Sequence, residues 1–301
     1  MKKNGLLYKM KKNNVGYVMI APLFIGLLIF AYYPPIYGLI LSLFEKSGQQ
    51  AIFCGFDNYV RLFNDEIFLN SIPTMFRIAL PKIIISVVVP LICAELVFGI
   101  ASEKKQGVYR MLLLIPMIVP GVVGTLIWKA IYDPANGVMT NIVRALGIIS
   151  SDTNINWLGD SKYVIFSIVF MGFPWIGGTN VLIYLAGLNA LSGEIIESTK
   201  LDGASTLRRI VSIDLPLLMG QIRYFLVFGL IGNLQDYSVQ VVLTGGGPGY
   251  ATYVPGYYMY HQAFMFNNKY YASTIGFFLF VVIMIITLIV NKFTSKDPSE
   301  V

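Results

Sequence analysis

The sequence predicts an all-α, multi-pass integral membrane protein with six transmembrane helices. Hydrophobic residues make up 56% of the 301 residues and charged residues only 13%, whereas ordinary soluble domains contain ~25% charged residues. The mean hydropathy is +0.67, and the apolar residues occur in blocks rather than on amphipathic stripes. We therefore expect these blocks to face lipid or one another.

Six apolar blocks are long enough to cross a bilayer, since a spanning helix needs ~20 apolar residues to cross ~30 Å of hydrocarbon. They cover residues 17–43, 77–100, 110–132, 162–187, 219–241 and 270–291. The first block is too long for a signal-peptide core and no small-residue cleavage site follows it, so we expect a retained signal anchor. Prolines inside or beside the blocks, such as Pro90 and Pro174, are typical of kinked helices that line a cavity.

Basic residues predict the orientation, because loops rich in lysine and arginine stay on the cytoplasmic side. With the N-terminus inside, the inner segments hold more than half of the 22 lysines and arginines, so both termini are expected in the cytoplasm. The expected organisation is a basic N-terminus (1–16), a first helix (17–43), a first outer loop (44–76), a core of five helices (77–291) with an inner polar loop (188–218), and a cytoplasmic tail (292–301).

Several function classes are poorly supported by the residues. The net charge of +6 is explained by the basic residues beside the spans, so nucleic-acid binding is not expected. Cys54 and Cys93 have neither redox nor metal-ligand spacing, and a single histidine, His261, excludes a His-based metal cluster within the chain. No catalytic residues are identified, and the phosphate-binding motif GxxxxGK[ST] does not occur. If ATP drives this protein, another subunit must bind it.

The polar loop contains a predicted short helix over residues 193–202. Ser192 is a candidate N-cap, and Gly203 supplies a left-handed stop. The apolar side of this helix is formed by Ile195, Ile196 and Leu201. Pro216 suits the first turn of the fifth span, where its missing N–H is not needed. From the residues alone, docking into a protein cleft and resting on the bilayer surface remain alternative interpretations.

The polar loop also carries a motif with fixed spacing. Its residues are Glu197, Ser198, Thr199, Asp202, Gly203, Ala204, Ile213, Leu215 and Pro216. The motif resembles the cytoplasmic signature of binding-protein-dependent ABC transporter permeases, Glu-Ala-Ala-x-x-Asp-Gly-Ala followed by Ile-x-Leu-Pro. This chain departs from it at Ser198 and Thr199, where small residues remain small, and at Ile210, where phenylalanine is common. The resemblance implies that this segment couples the permease to an ATPase subunit.

A second motif follows the fifth predicted span. Its residues are Thr244, Gly246, Gly247, Pro248 and Thr252. A glycine run before a proline enforces a tight, non-helical loop, which any re-entrant turn also uses. With its spacing to Thr252, the motif resembles an outer loop of carbohydrate-uptake permeases of the maltose and glycerol-3-phosphate type. The segment Phe56-Asp57-Asn58-Tyr59 is similar to the Gly-Leu-x-Asn-Tyr segment of that family, with a slight departure at Cys54-Gly55-Phe56.

The resemblance implies the transmembrane subunit of an ATP-driven importer for a sugar or oligosaccharide, without its own ATPase site, in the bacterial cytoplasmic membrane. The expected partners are a second homologous permease subunit, cytoplasmic ATP-binding subunits, an extracytoplasmic sugar-binding protein and membrane lipid. No cofactor is expected in this chain, because ATP and Mg would be bound by the partner ATPase subunits. The sugar would cross at the interface between the two permeases.

Polar residues inside spans are costly, so they are candidates for the substrate pathway. The candidates are Asn180, Tyr184, Asn233, Gln235, Asp236 and Tyr237. The alternative is hydrogen bonding between helices or a place in the aromatic interface belt, which we favour for the neighbouring Trp175. The remaining intramembrane charges are expected to extend toward the nearer interface. They are Lys82, Glu95 and Arg223.

A stand-alone secondary transporter or channel for a small polar solute is the competing interpretation. It would need no ATPase, and its polar spans would bind a coupling ion. The lack of an evident inverted repeat, the few central carboxylates and the motif of the polar loop argue against it. An intramembrane enzyme is less supported still, because the sequence presents no nucleophile–base pair.

Overall fold

Residues 14–48, 50–150, 152–191 and 193–294 are described by the computed structural model. The predicted N-cap Ser192, most of the basic N-terminus and most of the cytoplasmic tail lie outside the described residues. The described chain is mostly helical, which confirms the predicted class at that level. It divides into two compact units: one contains the chain up to Asn64 and Met259–Phe278, and the other contains Asp65–Tyr258 and the chain from Leu279 onward.

The first unit begins with a long apolar helix, Val15–Ser42, with none of its most apolar window buried. This helix consists of α1 (Asn14–Leu27), a π-helical turn (Leu28–Tyr32) and α2 (Tyr33–Ser42). Next comes an antiparallel hairpin of β1 (Phe44–Ser47) and β2 (Gln50–Phe53), followed by α3 (Asp57–Leu62). The prediction of an all-helical chain missed this hairpin.

Asn58, within the segment that resembles a permease outer loop, holds the first unit together. Its Nδ2 donates to the carbonyl oxygens of Ser42 at 3.1 Å and Phe44 at 2.6 Å. Thr274 Oγ1 donates to the same Ser42 carbonyl at 3.2 Å. One buried amide therefore joins the end of α2 to the start of the hairpin.

The other helices follow in chain order. They are α4 (Glu66–Phe98), α5 (Glu103–Leu114) with a 3-10 turn (Ile115–Ile118), α6 (Gly121–Ile131), α7 (Val138–Ala145), α8 (Val164–Phe170), α9 (Gly178–Leu188), α10 (Gly193–Leu201), α11 (Thr206–Arg209), a π-helical turn (Ile210–Asp214), α12 (Leu215–Leu217), α13 (Met219–Gln235), a π-helical turn (Gln240–Thr244), α14 (Pro255–Tyr260), a π-helical turn (His261–Met265) and α15 (Lys269–Thr294).

Four described helices are long and apolar enough to span a membrane. They are Val15–Ser42, Glu66–Phe98, Met219–Thr244 and Lys269–Thr294, and they correspond to the predicted first, second, fifth and sixth spans. The second begins well before the predicted residue 77, because Asp65 caps it: its Oδ1 accepts from the backbone N–H groups of Ile67 and Phe68 at 3.0 and 3.2 Å.

The predicted third and fourth spans are not continuous helices. Glu103–Ile118 and Gly121–Ile131 meet at 85°, so they form a broken span or a re-entrant loop. The predicted fourth span, 162–187, is divided into α8 and α9 by a segment in which Gly172 has φ +94° and Trp175 has φ +57°. Since α9 has only 11 residues, it is shorter than the ~20 residues of a spanning helix. Helix length therefore supports four spans, or five with the bent pair.

The core of the second unit lies where α4, α9 and α13 pack together. Its buried residues include Ala94, Tyr184, Leu188 and Phe225. A Cβ on Gly187 would lie 2.6 Å from Leu218 Cδ2, so the absence of a side chain there permits the close approach of α9 to the start of α13. This packing places polar residues of all three helices near one another.

Candidate functional site

Three helices of the second unit converge around Ser86 of α4. Asn180 of α9 donates its Nδ2 to the Ser86 carbonyl oxygen at 3.1 Å. Gly229 of α13 approaches from another side, since a Cβ there would lie 3.6 Å from Ser86 Oγ. A predicted pathway residue, Asn180, is therefore held at the meeting point of the helices.

A cavity of about 170 Å³ opens at this meeting point. It is lined by Lys82, Ile85, Ser86, Pro90, Val169, Met171, Trp175, Gly177 and Asn180. Lys82 is half-buried and interacts electrostatically with Asp236. The indole Nε1 of Trp175 is buried and has no hydrogen-bond partner among the described residues. The lining therefore combines a cation, an amide and an aromatic ring.

The helix that carries the other pathway candidates is interrupted at Asp236. α13 ends at Gln235, and Asp236 takes an extended backbone with ψ 128°. Its Oδ1 accepts from Ser238 N at 3.0 Å and from Ser238 Oγ at 2.6 Å, which starts the chain into its next helical turn. Gly256 lies against this break, since a Cβ there would be 3.2 Å from the Gln235 carbonyl oxygen.

The structure separates the six predicted pathway residues into groups. Asn180 lines the cavity, and Asp236 is linked to it electrostatically through Lys82. Asn233 donates to its own helix at the Gly229 carbonyl oxygen, 2.8 Å away. Gln235 is exposed and Tyr237 is half-buried.

Tyr184 lies in the hydrophobic core rather than in the cavity lining. Its ring packs on Phe225 with centroids 4.9 Å apart, and its side chain is fully buried. Conversely, Trp175 and Lys82 line the cavity, although the sequence analysis favoured other places for both. The signal for Lys82 was available, because Lys82 and Ser86 stand four residues apart on one helix face.

The polar loop contains the predicted short helix, with nearly the predicted bounds. α10 covers Gly193–Leu201, and Gly203 has φ +69°, as the left-handed stop requires. Leu201 is 87% exposed and Ile195 is 44% exposed, while the side chain of Ile196 lies outside the described ones. Thr199 is buried and donates its Oγ1 to the Ile195 carbonyl oxygen at 2.6 Å.

The other motif residues of the polar loop have different environments. Glu197, Ser198, Asp202 and Pro216 are exposed, while Ala204, Ile213 and Leu215 are half-buried. The sequence analysis placed Pro216 in the first turn of the fifth span. Pro216 lies in the first turn of α12, which directly precedes α13.

The intramembrane charges differ in their partners. Glu95 was predicted to extend toward the interface, but it is buried and forms an ion pair with Arg209, with Nη2 and Oε2 3.3 Å apart. Arg223 donates from Nε to Asn291 Oδ1 at 3.1 Å. Both polar contacts join helices that are distant in the sequence, which is why sequence reasoning missed them.

The second motif forms a compact loop, which we call the glycine loop (residues 243–252). Thr252 is fully buried, and its Oγ1 donates to the Gly247 carbonyl oxygen at 2.9 Å and lies 2.8 Å from Thr244 Oγ1. Gly246 is buried with φ +81°. A Cβ on Gly246 would run into the ring of Tyr253.

Tyrosines pack against the glycine loop. The rings of Tyr250 and Tyr253 have centroids 4.8 Å apart, and those of Tyr253 and Tyr257 are 5.0 Å apart. Burial, with lesser contributions from Tyr257 and Tyr250, raises the pKa of Tyr253. This phenol therefore stays protonated at physiological pH and acts as a neutral packing group.

Metal and thiol chemistry find little support in the part of the chain that the structure describes. There, no group of three or more His, Cys, Asp or Glu residues has a metal-binding arrangement. Cys54 and Cys93 are free thiols, and burial raises the pKa of Cys54. This thiol is therefore less reactive than an ordinary exposed one.

The family of the chain follows from comparison with known proteins. A family model described as the binding-protein-dependent transport system inner membrane component matches residues 86–296. The chain belongs to this family. The match confirms the predicted transport subunit, its dependence on a binding protein and its place in the inner membrane, so we refer to the chain as the permease.

Related proteins cover nearly the whole permease. The probable ABC transporter permease protein YurN of Bacillus subtilis (strain 168) is 27% identical over 95% of this chain and 98% of its own length. The trehalose/maltose transport system permease protein MalF of Thermococcus litoralis is 30% identical, over 83% of this chain and 84% of its own length.

A solved structure shares the fold of the permease. It is a chain in the crystal structure of a bacterial ABC transporter involved in the import of the acidic polysaccharide alginate, with a TM-score of 0.83 and 24% identity. The likeness covers 96% of this chain and 98% of that chain. The likeness therefore extends to residues before 86, which lie outside the family match.

Proposed function

We propose that the permease is the membrane subunit of an ATP-driven importer that translocates a sugar or oligosaccharide delivered by an extracytoplasmic binding protein. Relatives that transport trehalose/maltose, lactose and arabinooligosaccharides, by their names, support the substrate class. A second homologous permease and two cytoplasmic ATPase subunits complete the complex. ATP and Mg bind to the ATPase subunits.

The observation that carries this proposal is the exposed apolar tip of the polar loop. Leu201 ends a nine-residue helix and is 87% exposed, beside the left-handed Gly203. Burying such a leucine is favourable by about 1.5–3 kcal/mol, and the helix is too short to enter a membrane. A cleft of the ATPase subunit receives it, with Glu197 and Asp202 at the polar margin.

The proposed topology has six spans with both termini in the cytoplasm. The bent pair Glu103–Ile118 and Gly121–Ile131 is the third span, and α8 with α9 is the fourth. Broken helices are tolerated at membrane depth where they are buried in protein or line a cavity. The cavity lining includes Val169 of α8 and Asn180 of α9, which supports this arrangement.

The substrate pathway passes the cavity and the break at Asp236. Opposite charges on Lys82 and Asp236 suit the many hydroxyl groups of a sugar, which donate and accept hydrogen bonds. The cavity volume of about 170 Å³ is below the ~300 Å³ of a small-molecule pocket. The second permease therefore supplies the opposite wall. Asn180, Asn233, Gln235 and Tyr237 are further pathway residues.

The test uses the complete transporter in proteoliposomes with its binding protein. A thermal-shift screen of the binding protein over sugars identifies the ligand, and uptake of that ligand is then measured with and without ATP. We expect uptake only with both ATP and binding protein. We further expect Asp236→Ala to change the uptake rate or the range of sugars without preventing assembly, whereas Asp160→Ala, in a loop before α8, changes neither.

Two outcomes would each contradict a different part of the proposal. Uptake driven by an ion gradient without the ATPase subunits would identify a secondary transporter instead. An unchanged uptake profile in the Asp236→Ala variant would remove this residue from the pathway, leaving the transport assignment itself intact.

A further inference from the structure

Two acidic side chains and one arginine form a buried cluster at the C-terminal end of α4. Arg209 Nη2 lies 3.3 Å from Glu95 Oε2, and Arg209 Nε lies 2.9 Å from Asp214 Oδ2. The exposed side-chain fractions are 16% for Arg209, 8% for Glu95 and 0% for Asp214. The guanidinium also lies over the Phe98 ring at 5.4 Å. We call Glu95, Arg209 and Asp214 the ion cluster.

The ion cluster joins parts of the chain that are far apart in sequence. Glu95 lies in the last turn of α4, and its partner Arg209 is 114 residues away. Arg209 ends α11, and Asp214 ends the π-helical turn that leads to α12 and α13. The cluster therefore ties the C-terminal part of the polar loop to α4.

The ion cluster is costly to separate, because its charged groups are buried. One guanidinium serves two carboxylates, and the oxygens Glu95 Oε1 and Asp214 Oδ1 are buried without a hydrogen-bond partner among the described residues. Separating Arg209 from this pair would leave two buried carboxyl groups without their shared cation, which is more costly than breaking an exposed ion pair. When the polar loop moves, Glu95 is therefore expected to move with Arg209.

The helix that carries Glu95 also forms part of the cavity wall. Lys82, Ser86 and Pro90 of α4 line the cavity, and Glu95 follows Lys82 by thirteen residues, or ~20 Å along the helix. Pro90 lies between Glu95 and Ser86 and removes a backbone hydrogen bond from α4, and because Pro90 itself lines the cavity, a bend there changes the cavity wall. A displacement of Glu95 would therefore also move the part of α4 that lines the cavity.

We propose that the ion cluster is the joint through which movement of the polar loop reaches α4 and the cavity. Glu95 and Arg209 are positioning residues in this scheme, since they contact neither sugar nor ATP. The inference rests on the proposed function, because it assumes that an ATPase moves the polar loop. It adds a second route into the membrane beside the direct continuation of the polar loop into α13.

The test measures coupling in the complete reconstituted transporter. Glu95→Gln keeps the shape of the side chain and removes its charge. We expect sugar uptake per ATP hydrolysed to fall about fivefold or more, the lower end of typical coupling effects, while ATPase subunits still assemble and hydrolyse ATP. The matched control is Glu103→Gln, an exposed acid at the start of α5, for which the ratio stays unchanged.

A merely structural role predicts a different result. It would lower the thermal stability and the amount of assembled transporter, while uptake and ATP hydrolysis fall together and their ratio stays constant. That result overturns the inference. If Glu95→Gln does not fold, the ratio of uptake to ATP hydrolysis is measured for Arg209→Lys instead. Lysine keeps the positive charge but lacks the planar guanidinium that binds two carboxylates. Arg208→Lys, the same change at an exposed neighbour, is its control.

Failure of the inference is distinguishable from failure of the proposed function. If the unaltered transporter takes up no sugar with ATP and binding protein, the proposed function is wrong. If it does take up sugar and both cluster variants keep a normal ratio of uptake to hydrolysis, only the joint is wrong.

Discussion

The polar loop and the glycine loop both interrupt the apolar chain with a left-handed glycine, but they place it in opposite surroundings. Gly203 of the polar loop has φ +69° and open space where a Cβ would be, and Leu201 beside it is 87% exposed. Gly246 of the glycine loop is buried, with φ +81° and the Tyr253 ring against it. The polar loop thus presents Leu201 outward, whereas the glycine loop encloses Gly246 and Thr252.

This difference indicates two distinct roles for similar sequence signals. The glycine loop satisfies its own polar groups, as the hydroxyl contact between Thr244 and Thr252 illustrates, so its shape does not depend on a partner. The polar loop leaves the apolar side chain of Leu201 exposed, so this side chain can be buried only by contact with another protein. Substitutions in the glycine loop should therefore change stability, and substitutions in the polar loop should change assembly and transport.

The largest change in stability is expected for Gly246→Ala. A Cβ there would meet both an unfavourable left-handed backbone and the Tyr253 ring, which together cost about 2–4 kcal/mol of the free energy of unfolding. Gly245→Ala is the matched control, since Gly245 has φ +59° but nothing within 4 Å of the added Cβ. Equal losses of thermal stability in the two purified variants would contradict the close packing of the glycine loop.

A smaller loss of stability is expected for Thr252→Val. This change removes the hydroxyl that donates to the Gly247 carbonyl oxygen and leaves that oxygen unpaired in a partly buried place, at a cost of about 1–3 kcal/mol. Thr125→Val is the control, because the Thr125 hydroxyl donates only to its own helix at the Gly121 carbonyl oxygen. Thermal unfolding in detergent measures both; a Thr252 variant as stable as the control would mean that the hydroxyl contacts are dispensable.

The smallest change in stability is expected for Leu201→Ser, within about 0.5 kcal/mol, as for most surface substitutions. Its effect should appear instead in co-purification of the ATPase subunits and in uptake. Losing at least 1.4 kcal/mol of leucine burial in the complex weakens binding about tenfold. Leu146→Ser, at another exposed leucine (68%), should affect neither capture nor stability. Normal capture with Leu201→Ser would place the docking contact elsewhere.

Local signals in the sequence predicted several elements well. The short helix of the polar loop and its stop at Gly203 follow from neighbouring residues, and both occur as expected. The first and last long apolar helices also match, because hydropathy over ~20 residues is a local quantity. The motifs also identified the family, because their residues lie close together in the sequence.

Breaks inside apolar segments were harder to predict. Mean hydropathy over a window does not reveal a short bend, because a bend leaves the mean unchanged. It therefore missed the break at Gly172, which has φ +94°, in the fourth predicted span and the 85° turn after Ile118 in the third. The hairpin after Ser42 was missed because two four-residue strands give too few alternating positions for a pattern.

Contacts between distant residues were not predictable from one sequence. The ion pair of Glu95 with Arg209 spans 114 residues, and each partner alone is typical of a charge near the inner interface. The same holds for the cavity, where residues of α4 and α9 meet. Such contacts depend on helix packing, which a single sequence does not specify.

The long apolar helix Val15–Ser42 has no buried residue in its most apolar window, and this has a consequence for how its sequence evolves. Because this window is exposed in the chain, apolarity constrains it more than particular side-chain shapes do, so we expect many substitutions among valine, leucine, isoleucine and phenylalanine to be equivalent there. The family pattern, which begins at residue 86, leaves this helix out. Apolar residues there can therefore replace one another while the helix keeps the length that a span needs.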